Sequence, residues 1–204
     1  KLQHLLMSAA VLTSTAGATL GPIVASADSA TYTDATHVTT KGNIQFTEDN
    51  TPSKPVDPSD PNQPIDPVDP SNPNGAELMI DYASNINFGT QSKSSTSWDA
   101  YADKIKDPTD ATKTKDIVPF VSIKDSRGTD RKGWQLTVKQ DGDFTNGTAI
   151  LKGASLKFSG LNFAATDTSP TATAGDITLS KDAQTIATAD ADHGAGNNSL
   201  ALGK

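Results

Sequence analysis

The chain contains no cysteine, which excludes disulfides, thiol nucleophiles and cysteine metal sites. Apolar residues reach only 34% and aromatics 5%. No internal apolar run approaches the roughly 20 residues that a spanning helix needs, so no membrane span is expected. Basic side chains number 17 against 24 acidic ones, a formal net charge of -7. A nucleic-acid binder neutralises phosphates with surplus Lys and Arg, so nucleic acid is excluded as a partner. Histidine is scarce too: His4, His37 and His193 are the whole supply. His4 lies in the opening apolar stretch and His37 in a polar one. A single histidine is then left for the C-terminal region, too few for an evident Ser-His-Asp set. Two of its carboxylates could always converge as a glycosidase pair, but nothing singles a pair out. No catalytic residue and no cofactor is expected. The 204 residues allow one core domain of ordinary size plus extensions.

What is present begins with an address. Lys1 is followed by Leu5, Leu6, Met7, Ala9, Ala10, Val11 and Leu12, and Ala25-Ser26-Ala27 supplies a small-x-small cleavage site. This is the pattern of a secretory leader over residues 1–27, with a mature chain starting near Asp28. With no initiator Met at its head, the chain is expected to start just inside the leader.

Residues 28–51 are polar, with too few apolar side chains to close a core, and read as largely disordered, or as a short strand or two. Prolines then fall at 52, 55, 58, 61, 64, 67, 70 and 73, a strict spacing of three. Each fixes φ and pushes its predecessor toward extended geometry. A polyproline II helix has three residues per turn, so the rings would line one edge, with Asp57, Asp60, Asp66 and Asp69 along another. Residues 52–74 are therefore expected to form a semi-rigid spacer of roughly 65 Å. An SH3- or WW-type proline ligand is the alternative, but those motifs use basic flanks and this stretch is acidic. Residues 28–74 carry two basic and eight acidic side chains, whereas residues 75–204 carry fourteen and sixteen.

From residue 75 the pattern becomes alternation. Leu78, Ile80 and Tyr82 are expected on one face, with Met79 and Asp81 on the other. Ile117–Ile123 reads as a strand buried on both faces, with Pro119 marking an edge or bulge. Trp134, Leu136 and Val138 alternate with Gln135, Thr137 and Lys139. Leu156 and Phe158, Leu161 and Phe163, Ile177 and Leu179, then Ile186 follow. Turn signals separate them, at Asp125–Gly128, Asp141–Asp143, Asn146-Gly147 and Ser159-Gly160. The expected fold is all-β, an antiparallel β-sandwich. One segment departs from it: Trp98, Tyr101, Ala102 and Ile105 have helical spacing, with Thr96 and Asp99 as a capping box and Asp107-Pro108 as a stop. A short peripheral helix is expected there. Ser199–Lys204 reads as a strand just beginning, so continuation past Lys204 is expected.

Asp125-Ser126-Arg127-Gly128, followed by Gly133-Trp134-Gln135-Leu136-Thr137-Val138, resembles the WxL family of Gram-positive surface proteins. The segment Leu78-Met79-Ile80-Asp81 through Ile86-Asn87-Phe88-Gly89 resembles the start of that domain. The resemblance covers residues 75–204 and implies an all-β module that attaches non-covalently to the cell wall through peptidoglycan. It also implies partnership with other wall-associated surface proteins. The family's second Trp-x-Leu is missing, since no tryptophan follows Trp134, which fits continuation past Lys204.

The candidate ligand-binding residues are Trp134, Leu136, Arg127, Arg131 and Lys132. Trp134 can stack on a sugar ring or face the core. Lys124, Arg127, Arg131 and Lys132 can meet carboxylates or phosphates of wall polymers, or form a solvated loop in which Arg127 pairs with Asp125. Asp141, Asp143 and Asn146 superficially resemble a calcium loop, but the glycine and glutamate of an EF-hand are out of register, and a hairpin turn is the better reading. Asp190, Asp192, His193 and Asn197 read as a surface loop. Three functions follow: wall attachment first, an adhesin-type protein binding a protein partner in a surface complex second, and a wall hydrolase third.

Overall fold

The computed structural model describes residues 6–9, 31–42, 47–92, 94–146 and 148–203. The chain divides into two units, Lys1–Glu48 and Asp49–Lys204. In the first, β1 (Leu6–Ala9) runs parallel to β3 (Val38–Gly42), and β2 (Thr31–Tyr32) pairs with β3 antiparallel. Most of the expected leader, including the Ala25-Ser26-Ala27 site, lies outside the described residues.

Among its described residues the second unit carries fourteen strands, every ladder between them antiparallel. They are β4 (Val56–Asp57), β5 (Asp60–Pro64), β6 (Leu78–Ala83), β7 (Asp103–Lys106), β8 (Thr114–Ile117), β9 (Phe120–Asp125) and β10 (Trp134–Val138). There follow β11 (Phe144–Asn146), β12 (Ala149–Leu151), β13 (Lys157–Phe158), β14 (Thr171–Ala172), β15 (Ile177–Thr178), β16 (Gln184–Ala189) and β17 (Gly196–Ala201). The all-β expectation holds, and Pro119 separates β8 from β9 because it cannot donate to a ladder.

A sheet of order β17-β9-β6 forms the middle layer. Its side chains alternate between two cores, as strand geometry requires. Ile123 and Leu200 join Leu136, Ile186 and Ala187 of the β10-β16-β14 sheet, with Phe158, Ile177 and Leu179 beside them. These two sheets and their shared core make the sandwich. On the opposite face Phe120 and Tyr82 pack with Ile65 and Ile105, their rings 4.9 Å apart.

Ile65 belongs to the proline-rich stretch, and its burial corrects the spacer expectation. Residues 49–70 fold back over the middle sheet as a strap. Val56 and Asp57 pair with β5, Pro55 and Val56 are buried, and Pro67 bridges Ile105. Proline lacks an N–H, but spacing by three leaves donors between the rings. Ile65 N donates to Pro55 O at 2.9 Å and Val68 N to Lys104 O at 3.0 Å, while Lys106 N donates to Asp66 O at 2.8 Å. Polyproline II geometry leaves its backbone to water. Here part of that backbone is tied to partners in the fold.

Two further expectations change. The segment Trp98–Ile105 is not helical: β7 begins at Asp103 and pairs with β8, and the helix among the described residues is one 3₁₀ turn, Gly128–Asp130. Trp98 and Tyr101 are exposed, and of the expected apolar face only Ile105 reaches a core. In β6 a register shift between Ile80 and Tyr82 inserts Asp81 as a bulge. A bulge changes which residues share a face, so Met79 and Tyr82 are buried while Leu78 and Ile80 are exposed. The strand expected to begin at Ser199 starts at Gly196, with six residues of β17 in register against β9.

Candidate functional site

Asp125 ends β9 and is buried. Its carboxylate accepts from Arg127 N at 3.2 Å, Arg127 Nε at 3.0 Å and Arg127 Nη2 at 2.8 Å. Nη2 also donates to Gly133 O at 3.0 Å. One guanidinium thus closes the loop from β9 to the residue before Trp134, a use of its planar fork that Lys could not copy. Burial pushes the Asp125 carboxyl up, but the Arg127 side-chain and backbone bonds and the Arg127 charge outweigh it and hold it below the ordinary range. The same ion pair raises Arg127.

Gly133 carries the close approach that follows. Its φ is +84°, and a Cβ there would fall 2.2 Å from Ala189 O. Only glycine lets the chain pass so near the end of β16. Trp134 then pairs with Ala189 and starts β10.

The Trp134 ring is partly buried against the main core and meets Phe163 edge-on, centroids 6.5 Å apart at 64°. Gly194 lies over its other part: a Cβ there would be 3.0 Å from Nε1 and 3.2 Å from Cε2. The ring is thus half-buried, packed against the core on one part and against Gly194 on the other. Leu136 is buried in the core and holds the strand that presents Trp134. Arg131 is half-buried, with Nη2 3.4 Å from Ala191 O, and Lys132 is exposed. Lys124 leaves the basic cluster. It sits buried on the far face of the middle sheet, where Nζ donates to Asp49 O at 3.0 Å and Thr51 O at 2.7 Å.

The loop 190–194, expected as bare surface, packs against Trp134 through Gly194. Asp190 Oδ1 accepts from Asp192 N at 2.9 Å and His193 N at 3.1 Å, and pairs with His193 Nδ1 at 2.6 Å. The His193 bond and the backbone bonds lower the Asp190 carboxyl. Asn197 departs from this cluster and donates to Lys54 O at 2.7 Å. The signal for the loop's position was Gly194, which separates a polar run from β17, but its partner Trp134 lies 60 residues earlier in the chain. Asp141 and Asp143 precede β11 and Asn146 ends it, and β11 pairs with β12 as a hairpin. Among the described residues no group of three or more His, Cys, Asp or Glu could hold a metal ion. Among them, too, no helix is long and apolar enough to cross a membrane.

A family model described as "WxL domain surface cell wall-binding" matches residues 33–204. No curated protein and no solved structure matches the chain. The match takes in the strap together with the Asp125–Trp134 loop and both sheets, so the chain belongs to the WxL family of surface domains that bind the cell wall.

Proposed function

We propose that the protein is a secreted, non-enzymatic module that holds non-covalently to peptidoglycan through the surface around Trp134, Arg131 and Lys132. The observation that carries this reading is the placement of Trp134. Its ring packs against the core that holds Leu136 and meets Phe163 edge-on, and Arg131 and Lys132 precede it by two to three residues in the chain. An aromatic ring so held offers a rigid, partly apolar surface to a sugar at low entropic cost. Arg127 acts as a positioning residue, since Asp125 and Gly133 already take its donors. Export rests on the leader-like segment 1–27, and N-terminal sequencing of the secreted chain tests it, with Asp28 the expected first residue.

Co-sedimentation with purified peptidoglycan sacculi tests the binding. Saturable pelleting at moderate salt supports it, and protein left wholly in the supernatant contradicts it. A second reading, attachment to a protein partner of a surface complex, draws on the β11–β12 hairpin. Phe144, Ile150 and Leu151 are all exposed there. Capture of a partner from wall-free extract, abolished by polar substitution of these three, favours that reading. Pelleting indifferent to the same substitutions keeps the two apart.

A further inference from the structure

One kind of turn is built twice in this chain. Asp190-Ala191-Asp192-His193 in the second unit has the pattern Asp-Ala-x-His, and so does Asp34-Ala35-Thr36-His37 in the first. In each, a carboxylate oxygen of the aspartate accepts from the backbone N two residues on, from Asp192 N at 2.9 Å and from Thr36 N at 2.8 Å. The same oxygen meets the histidine Nδ1, at 2.6 Å and 2.8 Å. That histidine bond is the largest cause holding either carboxyl below its ordinary range. Two separate units give one geometry, so the four residues close the turn by themselves, as aspartate side chains do when they cap a following backbone N–H.

The turn of the second unit sits against the candidate site. Ala189, the residue before it, pairs with Trp134, and a Cβ on Gly133 would meet Asp190 Cα at 2.9 Å. Gly194, the residue after it, is buried and comes back onto the same corner. A Cβ there would lie 2.8 Å from Ala189 Cβ, 3.0 Å from Trp134 Nε1 and 3.2 Å from Trp134 Cε2. Its own N donates to Thr168 O at 2.8 Å. The turn therefore decides where Gly194 rests. Gly194 in turn covers one part of an indole that otherwise packs on Phe163 and the core. A loop returning by another path would leave that part of the ring without its packing partner.

We propose that Asp190 and His193 are positioning residues for Trp134: the turn they close seats Gly194 on the indole and so fixes which part of the ring remains open to the wall. This deepens the peptidoglycan reading and rests on it. Both residues act through the backbone of the loop 190–194. A ring held from two sides keeps one orientation before binding, which lowers the ordering cost of stacking on a ligand. Asp190 is exposed and His193 half-buried, and neither belongs to a core. Their loss therefore loosens the loop and leaves the stability of the sandwich nearly unchanged.

The test uses the full chain carrying Trp98→Phe, which leaves Trp134 as its single tryptophan. Asp190→Ala removes the acceptor of the turn and His193→Ala removes only the ring bond, whereas His193→Asn puts an amide donor back near the place of Nδ1. Acrylamide quenching of Trp134, read without any wall, reports how open the ring is. Pelleting with purified sacculi and a thermal melt are measured beside it. Both alanine variants are expected to show stronger quenching, the parent's melting temperature and about fivefold weaker pelleting, the scale of one lost hydrogen bond. His193→Asn is expected to restore quenching and pelleting to the parent's. Parental quenching or parental pelleting in the alanine variants overturns the proposal. So does a loss of pelleting that comes only with a lowered melting temperature in both, or one that His193→Asn does not reverse. A parent that fails to pellet overturns the wall reading, and the quenching contrast then decides the positioning of the ring by itself.

Discussion

Lys124 Nζ, in the middle strand of the central sheet, donates to the carbonyl of Thr51 at 2.7 Å across 73 residues of chain. A buried ammonium requires such partners, and the strap supplies them through Asp49 O, Thr51 O and the Asp49 carboxylate at 3.1 Å. Next to it Ser53 Oγ donates to the buried Asp81 at 2.9 Å and lies 3.2 Å from Asn197 Oδ1. The strap is thereby part of the folded unit, holding three strands through side chains on each.

Removal of residues 49–74 therefore exposes Phe120 and Tyr82 and leaves Lys124 without acceptors. A chain of residues 75–204 is expected to be insoluble, or to melt far below one of residues 49–204. Thermal denaturation followed by circular dichroism checks this. Equal melting temperatures would mean that the strap is dispensable, as a spacer is.

Asp81 provides a pH signature. Burial raises its carboxyl above the usual range, outweighing the Ser53 bond and the Lys124 charge. Its contribution to stability is full below the unfolded value and is lost as pH rises through the raised folded value. Asp81→Asn should flatten the loss of stability as pH rises above the ordinary carboxylate range, seen as a smaller shift in urea midpoint. Ser53→Ala, which removes a partner of the buried carboxyl, should cost about 1–3 kcal/mol. An Asp81→Asn variant with the parent's pH dependence would contradict the assignment.

Asp125 behaves in the opposite sense. Arg127 holds its carboxyl low, so its contribution is present above the unfolded value and is lost as pH falls through the lowered folded value. Asp125→Asn should be less stable than the parent at pH 7, with the gap narrowing as pH drops below about 4. Denaturant midpoints across that range read the effect, and a gap independent of pH would sink it.

Glycine positions separate close approach from mere turn. A Cβ at Gly75 would fall 1.6 Å from Asn50 O, and one at Gly133 would meet Ala189 O at 2.2 Å, whereas at Gly142 nothing lies within 4 Å. Gly75→Ala and Gly133→Ala should each lower the melting temperature by many degrees, and Gly142→Ala should leave it nearly unchanged. Comparable effects at all three positions would contradict the packing described.

Much of the sandwich was legible because it rests on local alternation. Trp134, Leu136 and Val138 read correctly as a strand, and Arg127 with Asp125 as a turn clamp, since their partners lie within a few residues. The strap was not legible in the same way. Proline every third residue specifies extended backbone, but the donors to Thr51 O and Asp49 O and the partners of Asp66 and Val68 lie 36 to 77 residues away. The helix expected over Trp98–Ile105 failed for a related reason. The Asp107 and Asp110 side chains fix a tight turn by accepting from Thr109 N at 2.8 Å and Thr112 N at 3.1 Å. That turn brings β8 back onto β7, and ladder pairing overrides the helical spacing. In β6 one inserted residue, Asp81, broke the period on which the face assignment depended. The loop over Trp134 was hidden because Gly194 meets the indole only in three dimensions.

The proposed wall attachment rests on Trp134 as an anchored platform. Its most direct test is co-sedimentation of the protein with purified peptidoglycan sacculi at about 0.15 M salt, with Trp134→Phe as the paired variant and a thermal melt to verify folding. The predicted result is saturable pelleting of the parent and several-fold weaker pelleting of a variant that melts normally. A parent that remains in solution at every sacculus concentration, or a folded variant that pellets identically, would contradict it.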